Sequence, residues 1–227
     1  MKSVLVGLGV QGNKRLKVAK KDIVAKVDPF QKNYFNSLYD VPLEIYDTVI
    51  LCVPDNLKLE LINFSIENKK NVMLEKPFIV QDINFFTKLQ KKANKNQVYI
   101  YTCYNHRFEP HLIKLQKLLF NNKYGKVYNC RIFYGNGTAA LVKNSPWRDK
   151  KTKGVIEDLG SHIIDIIFFL FEKKINRPRL INSFNYENKS PDYSIFNVHL
   201  NNNILIQCEA SLCSWKNTFT CDIFCEK

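Results

Sequence analysis

Val4-Leu5-Val6-Gly7-Leu8-Gly9-Val10-Gln11-Gly12 carries an apolar strand straight into a glycine turn, and Asn13 to Lys21 then has helix-forming composition. Strand, glycine loop and helix in that order are the setting of a dinucleotide site. A Cβ on these glycines would block the tight turn and keep the backbone away from a pyrophosphate. The anion sits at the helix amino end, where free N–H groups and the dipole favour negative charge. Ile23–Val27 reads as a second strand ending at Asp28, 21 residues after Gly7, where an acid accepts hydrogen bonds from the adenosine ribose. The bland alternative is a purely structural glycine turn.

Outward from this loop the rhythm repeats. Thr48–Val53 is a continuous apolar run stopped by Pro54, and a helical pattern follows at Leu57, Leu61, Ile62 and Ile66. The next strand, at Val72, runs into Glu75-Lys76-Pro77. Asp82 is a plausible N-cap for a helix through Asn94, with Ile83, Phe86, Leu89 and Gln90 on or beside one face, and Val98–Cys103 supplies another strand. Strands alternating with helices predict a doubly wound parallel sheet of α/β class over residues 1–104. Lys76 then ends a strand at the edge where open α/β sheets bind ligands, so its ammonium can face cofactor and substrate.

Residues 105–227 read differently. An amphipathic helix (Leu112, Leu115, Leu118, Leu119) precedes a strand Val127–Tyr134, a turn at Gly135-Asn136-Gly137, an irregular stretch to Lys153 and a helix from about Ile156 to Phe171. Strands near Leu180–Tyr186, Tyr193–Leu200, Ile204–Leu212 and Phe219–Phe224 predict an α+β domain with a largely antiparallel open sheet. The run Phe168–Phe171 reads as core. The sequence stops as if inside that sheet, so an incomplete sheet with an exposed edge, in a truncated chain, is expected.

Among the 227 residues, 34 Lys and Arg stand against 21 Asp and Glu, a formal net charge of +13. Such an excess favours anionic partners, or it is a solvated surface reflecting a Lys- and Asn-rich composition. The basic residues are scattered and not interleaved with aromatics, which argues against nucleic acid. Seven cysteines without CxxC spacing, and no export signal, predict free thiols in the cytoplasm. The apolar run 163–171 is short and interrupted by Asp165, so no membrane span is expected. His106, His111, His162 and His199 lack zinc spacing, and no metal is expected.

Gly154-Val155-Ile156-Glu157-Asp158-Leu159-Gly160-Ser161-His162 forms a second constellation. In a helix Asp158 and His162 share a face, so the carboxylate could orient an imidazole that exchanges a proton with substrate. A surface acid–histidine pair is the competing reading.

Taken in order, the glycine loop, Asp28, Glu75-Lys76-Pro77, Tyr104-Asn105-His106-Arg107-Phe108, Gly125-Lys126-Val127, Trp147-Arg148 and the Asp158/His162 segment resemble the Gfo/Idh/MocA oxidoreductases. The resemblance implies a Rossmann domain followed by a substrate and oligomerisation domain, with a homo-oligomer when the full sheet is present. Asp28 would repel a 2′-phosphate, so NAD is expected rather than NADP, and the cofactor is expected to be held by Gly7, Gly9, Val10, Gln11, Gly12, Asp28, Val53, Pro54, Asn56, Glu75, Lys76 and Asn105. Lys76, His162 and Asp158 would be catalytic. Substrate would meet Lys76, Arg107, Trp147, Arg148, Asp158 and His162. The bond before Pro77 is expected to be cis. Relatives usually carry a histidine after Thr-Pro-Asn, where this chain has Val53-Pro54-Asp55-Asn56-Leu57-Lys58. The implied activity is hydride transfer between nicotinamide and a sugar, cyclitol or nucleotide-linked sugar. A non-catalytic NAD(H)-binding relative and an NAD-dependent glycoside hydrolase are the alternatives.

Overall fold

The computed structural model describes residues 1–79, 82–145, 149, 154–172, 175–176, 178–200 and 204–227. Two compact units divide the chain, Met1–Cys103 and Tyr104–Lys227. In the first, β1 (Ser3–Val6), α1 (Val10–Val18), β2 (Ile23–Val27), β3 (Thr48–Leu51), α2 (Asp55–Glu67), β4 (Asn71–Glu75), α3 (Ile83–Lys95) and β5 (Ile100–Cys103) alternate along the chain. The strands form one parallel sheet in the order β2-β1-β3-β4-β5. Every residue of β1 and β3 is buried, as parallel strands covered on both faces require. Val4, Val6, Val49 and Leu51 pack with Ile62, Ile66 and Leu74 on one side of the sheet, and Leu5 and Ile50 with Leu8 on the other.

Helix boundaries and faces differ from expectation in instructive ways. α1 starts at Val10, inside the glycine motif, because Gly9 is its N-cap and the Asn13 side chain donates back to the Leu8 carbonyl at 2.6 Å. Asp82 does cap α3, accepting from the Asn84 N–H at 2.9 Å. That cap sets the helix phase so that Phe85, Leu89 and Ala93, four apart, face the core, while Ile83 is 74% exposed. On α2 the buried stripe is Lys58, Ile62 and Ile66 together with Ser65, and Leu57 lies exposed.

The second unit comprises α4 (Pro110–Phe120), β6 (Val127–Gly135), α5 (Ala139–Lys143), α6 (Ser161–Phe171), β7 (Arg179–Phe184), β8 (Tyr193–Leu200), β9 (Ile204–Ser211) and β10 (Thr218–Cys225). Its sheet runs β10-β6-β9-β8-β7, antiparallel at every pairing except β6 with β9. Ile163, Ile166, Ile167 and Leu170 of α6 share one apolar core with Cys130, Ile132, Val198 and Ile206 of the strands. Phe171 is buried too, but Phe168 is exposed, so the Phe168–Phe171 run is only partly core. α5 lies within the stretch expected to be irregular. The strand expected to reach Tyr186 stops at Phe184, because the Asp192 carboxylate gathers the N–H groups of Tyr186, Glu187 and Asn188 into a loop. The expected helix from Ile156 opens with a π turn, Ile156–Gly160, that runs directly into α6. Trp147 and Arg148 fall outside the described residues.

Candidate active site

In the first unit, the glycine loop, Val53-Pro54 and Lys76 follow the adjacent strands β1, β3 and β4 and so share one carboxyl edge. The strand order reverses between β1 and β3, the switch point where open sheets bind ligands. Each glycine has its own physical reason. Gly7 has φ +87°, and a Cβ there would lie 2.6 Å from the Cys52 carbonyl oxygen. A Cβ on Gly12 would lie 1.9 Å from the Gly7 oxygen, so only glycine lets α1 pack this close to the loop. A Cβ on Gly9 would meet nothing within 4 Å, leaving open the approach that a pyrophosphate needs. Val10 and Gln11 are exposed on the first turn of α1, which carries no acid to repel an anion. Asn56 is likewise exposed on the first turn of α2. This cradle fits a dinucleotide.

Two candidate cofactor residues also do work inside the protein. Asp28, 8% exposed, accepts from the Leu8 N–H at 2.8 Å through one oxygen and from the Phe30 N–H at 3.0 Å through the other. It therefore ties the end of β2 to the glycine loop. Glu75 accepts from Arg15 Nε at 2.6 Å, joining β4 to α1. Burial works against the Arg15 charge, but the hydrogen bond and charge of Glu75 prevail and raise its pKa. Lys76 is half-buried just past β4, and the Lys76–Pro77 bond is cis, as expected.

In the second unit, His162 is 6% exposed near the start of α6, just after the π turn that carries the half-buried Asp158. Rings surround it: His106 at 4.8 Å between centroids, Tyr104 at 5.6 Å and Tyr134 at 5.9 Å, all edge to face. Burial raises the Tyr134 pKa, helped by the charges of Asp158 and then Glu109. Arg107 is held by the buried Asp165, with Nε 2.8 and 3.0 Å from its two oxygens. Such forked pairs fix a guanidinium's direction. Asn105 is exposed on the short turn before α4. Among the described residues, no group of three His, Cys, Asp or Glu side chains is gathered as a metal would require.

Sequence reasoning missed three features. Lys58 is buried, with Nζ on the carbonyl oxygens of Glu75 and Pro77. Its spacing of four from Ile62 was the available signal. Glu109 lies between two histidines, accepting from His106 Nδ1 at 2.6 Å and standing 3.0 Å from His111 Nε2, an ion pair when that ring is protonated. The i, i+3 spacing of His106 and Glu109 carried that pairing. The Arg15–Glu75 contact spans 60 residues and left no local trace.

Comparison with known proteins fits this arrangement. The chain is 24% identical over 202 residues to glucose-6-phosphate 3-dehydrogenase of Bacillus subtilis (strain 168), covering 82% of this chain and 57% of that protein. It is 27% identical over 127 residues to scyllo-inositol 2-dehydrogenase (NADP(+)) of the same organism, covering 55% of this chain and 35% of that protein. Thus it spans little more than half the length of the first curated relative. The WlbA dehydrogenase from Bordetella pertussis, solved in complex with NADH and UDP-GlcNAcA, has the same fold, with a TM-score of 0.84 at 15% identity over 100% of this chain and 77% of that one. The model of an oxidoreductase family with an NAD-binding Rossmann fold matches residues 2–104, and that of the GFO/IDH/MocA C-terminal domain matches residues 112–227. With its two units matched in order by the two halves of one family, the chain belongs to the Gfo/Idh/MocA oxidoreductases.

Proposed function

We propose that this protein is an NAD-dependent dehydrogenase or reductase acting on a CH–OH group of a sugar, cyclitol or nucleotide-linked sugar. Residues 1–104 bind the cofactor, and residues 105–227 serve substrate and self-association in a cytoplasmic enzyme. The observation that carries the reading is a glycine cradle fitted to a dinucleotide on the same sheet edge as Lys76. Support for the substrate class comes from relatives named for glucose 6-phosphate and scyllo-inositol, and from a fold neighbour holding UDP-GlcNAcA.

NAD, when bound, accepts or returns the hydride at its nicotinamide ring. The Lys76 ammonium steadies charge developing on the substrate oxygen. His162 takes the hydroxyl proton at a ring nitrogen, and Asp158 orients the imidazole and steadies its cation. The surrounding rings of Tyr104, Tyr134 and His106 keep water from that imidazole. Asp28 favours NAD, because a 2′-phosphate would meet its carboxylate.

A screen of sugar phosphates, cyclitols and nucleotide sugars for NADH formation tests the reading. Turnover of one ring alcohol with NAD is the expected result. Cofactor binding with no turnover of any candidate would favour a binding protein, and glycoside cleavage with no net NADH would favour a hydrolase.

A further inference from the structure

The geometry points to Lys58 as a positioning residue for Lys76, an inference that rests on the role proposed for Lys76 above. Lys58 lies on α2, only 3% exposed, in a stripe otherwise occupied by Ile62, Ser65 and Ile66. Its Nζ donates to the Glu75 carbonyl oxygen at 2.7 Å and to the Pro77 carbonyl oxygen at 2.8 Å, and pairs with Asp55 Oδ1 at 2.9 Å. An ammonium has three N–H donors and no acceptor, so these oxygens saturate it.

The two carbonyls belong to the residues immediately before and after Lys76. Bonds from a charged donor are stronger than neutral ones, and in a buried setting they are not traded for water. Pinned on both sides by one cation, the backbone at residue 76 is held, and with it the direction in which the Lys76 side chain leaves the chain. The Arg15–Glu75 contact fixes the preceding side chain as well. A buried charge is tolerated only when paired, and Asp55 supplies the counter-charge from the same helix turn. Lys58 thus spends its charge on the turn that carries Lys76. A misplacement of about 1 Å in a reacting group costs on the order of a hundredfold in rate.

The test is Lys58→Met, which keeps the aliphatic stem and removes the donors, with Lys58→Arg as the charge-retaining control. Expected for the Met variant is a fall in kcat of about a hundredfold, with NADH affinity changed by less than about threefold. The acetylation rate of the Lys76 amine, followed by competitive labelling and mass spectrometry, should change by about fivefold or more, because the amine's surroundings change. Lys58→Arg should recover part of both. If the Met variant does not fold, Lys58→Gln gives the same comparison. Unaltered kcat and unaltered Lys76 labelling in a folded variant overturn the proposal. So does loss of NADH binding in step with turnover, the mark of a merely structural lysine. Labelling that shifts in a protein whose wild type turns over no substrate upholds the positioning and sinks the dehydrogenase reading instead.

Discussion

Lys76 and Asp28 lie at the ends of different strands and make separable claims. Replacing Lys76 by Met should lower turnover by about a thousandfold or more while NAD affinity stays within about threefold, since the glycine cradle is untouched. Stopped-flow turnover beside an NADH titration checks this, and undiminished turnover removes Lys76 from the mechanism. Asp28 cannot swing away from a 2′-phosphate, because the Leu8 and Phe30 N–H groups hold both its oxygens. At surface-like dielectric the repulsion is on the order of 1 to 4 kcal/mol, so NADP should bind roughly fivefold to several-hundredfold more weakly than NAD. Titration of both cofactors decides it, and tighter NADP binding overturns the preference. Lys76 was legible because a lysine at a strand's end is conspicuous. Lys58 was not, because a buried charge within an apolar stripe declares itself only when its partner carbonyls, 17 and 19 residues away, are seen.

Strand–loop–helix order in the first unit followed from periodicity, and the structure moved mainly its boundaries. α1 begins three residues earlier than its composition suggested, since a glycine N-cap leaves no side-chain signature. The face of α3 was misassigned because Phe85 and Phe86 are interchangeable by composition and only the cap fixes the phase. The π turn before α6 could not be read at all, since its backbone differs from an α-helix without any distinctive residue type. Gly12 puts the loop–helix contact to the test. Gly12→Ala places a Cβ against the Gly7 carbonyl and must push α1 away from the loop. The overpacking should cost about 1–3 kcal/mol of stability and weaken NAD binding, measurable by urea unfolding and cofactor titration. Wild-type stability in this variant would show that the loop has slack the structure does not display.

Thiols sit in the interior of both units, Cys103 buried and Cys52 half-buried in the first and Cys130 and Cys208 buried in the second. Their placement was not legible, although seven unpaired cysteines were expected, because alternation marks a strand's inward face only once its register is known. Burial, with the Glu75 charge adding to it, pushes the Cys52 pKa up to about 12, and burial raises that of Cys103 to about 11. Folding therefore favours the neutral thiol in each. Above the ordinary thiol value of 9.0 the unfolded chain has shed protons that the native chain retains, so stability is whole below that pH and falls as pH climbs toward about 11 to 12. Alkaline conditions ionise other groups too, so the decisive comparison is between wild type and Cys52→Ala/Cys103→Ala in urea melts at pH values on either side of 9. The double variant starts less stable because it loses packed volume, but its stability should fall less steeply with pH. Equal slopes would mean that these thiols ionise in the folded protein much as they do in the unfolded chain.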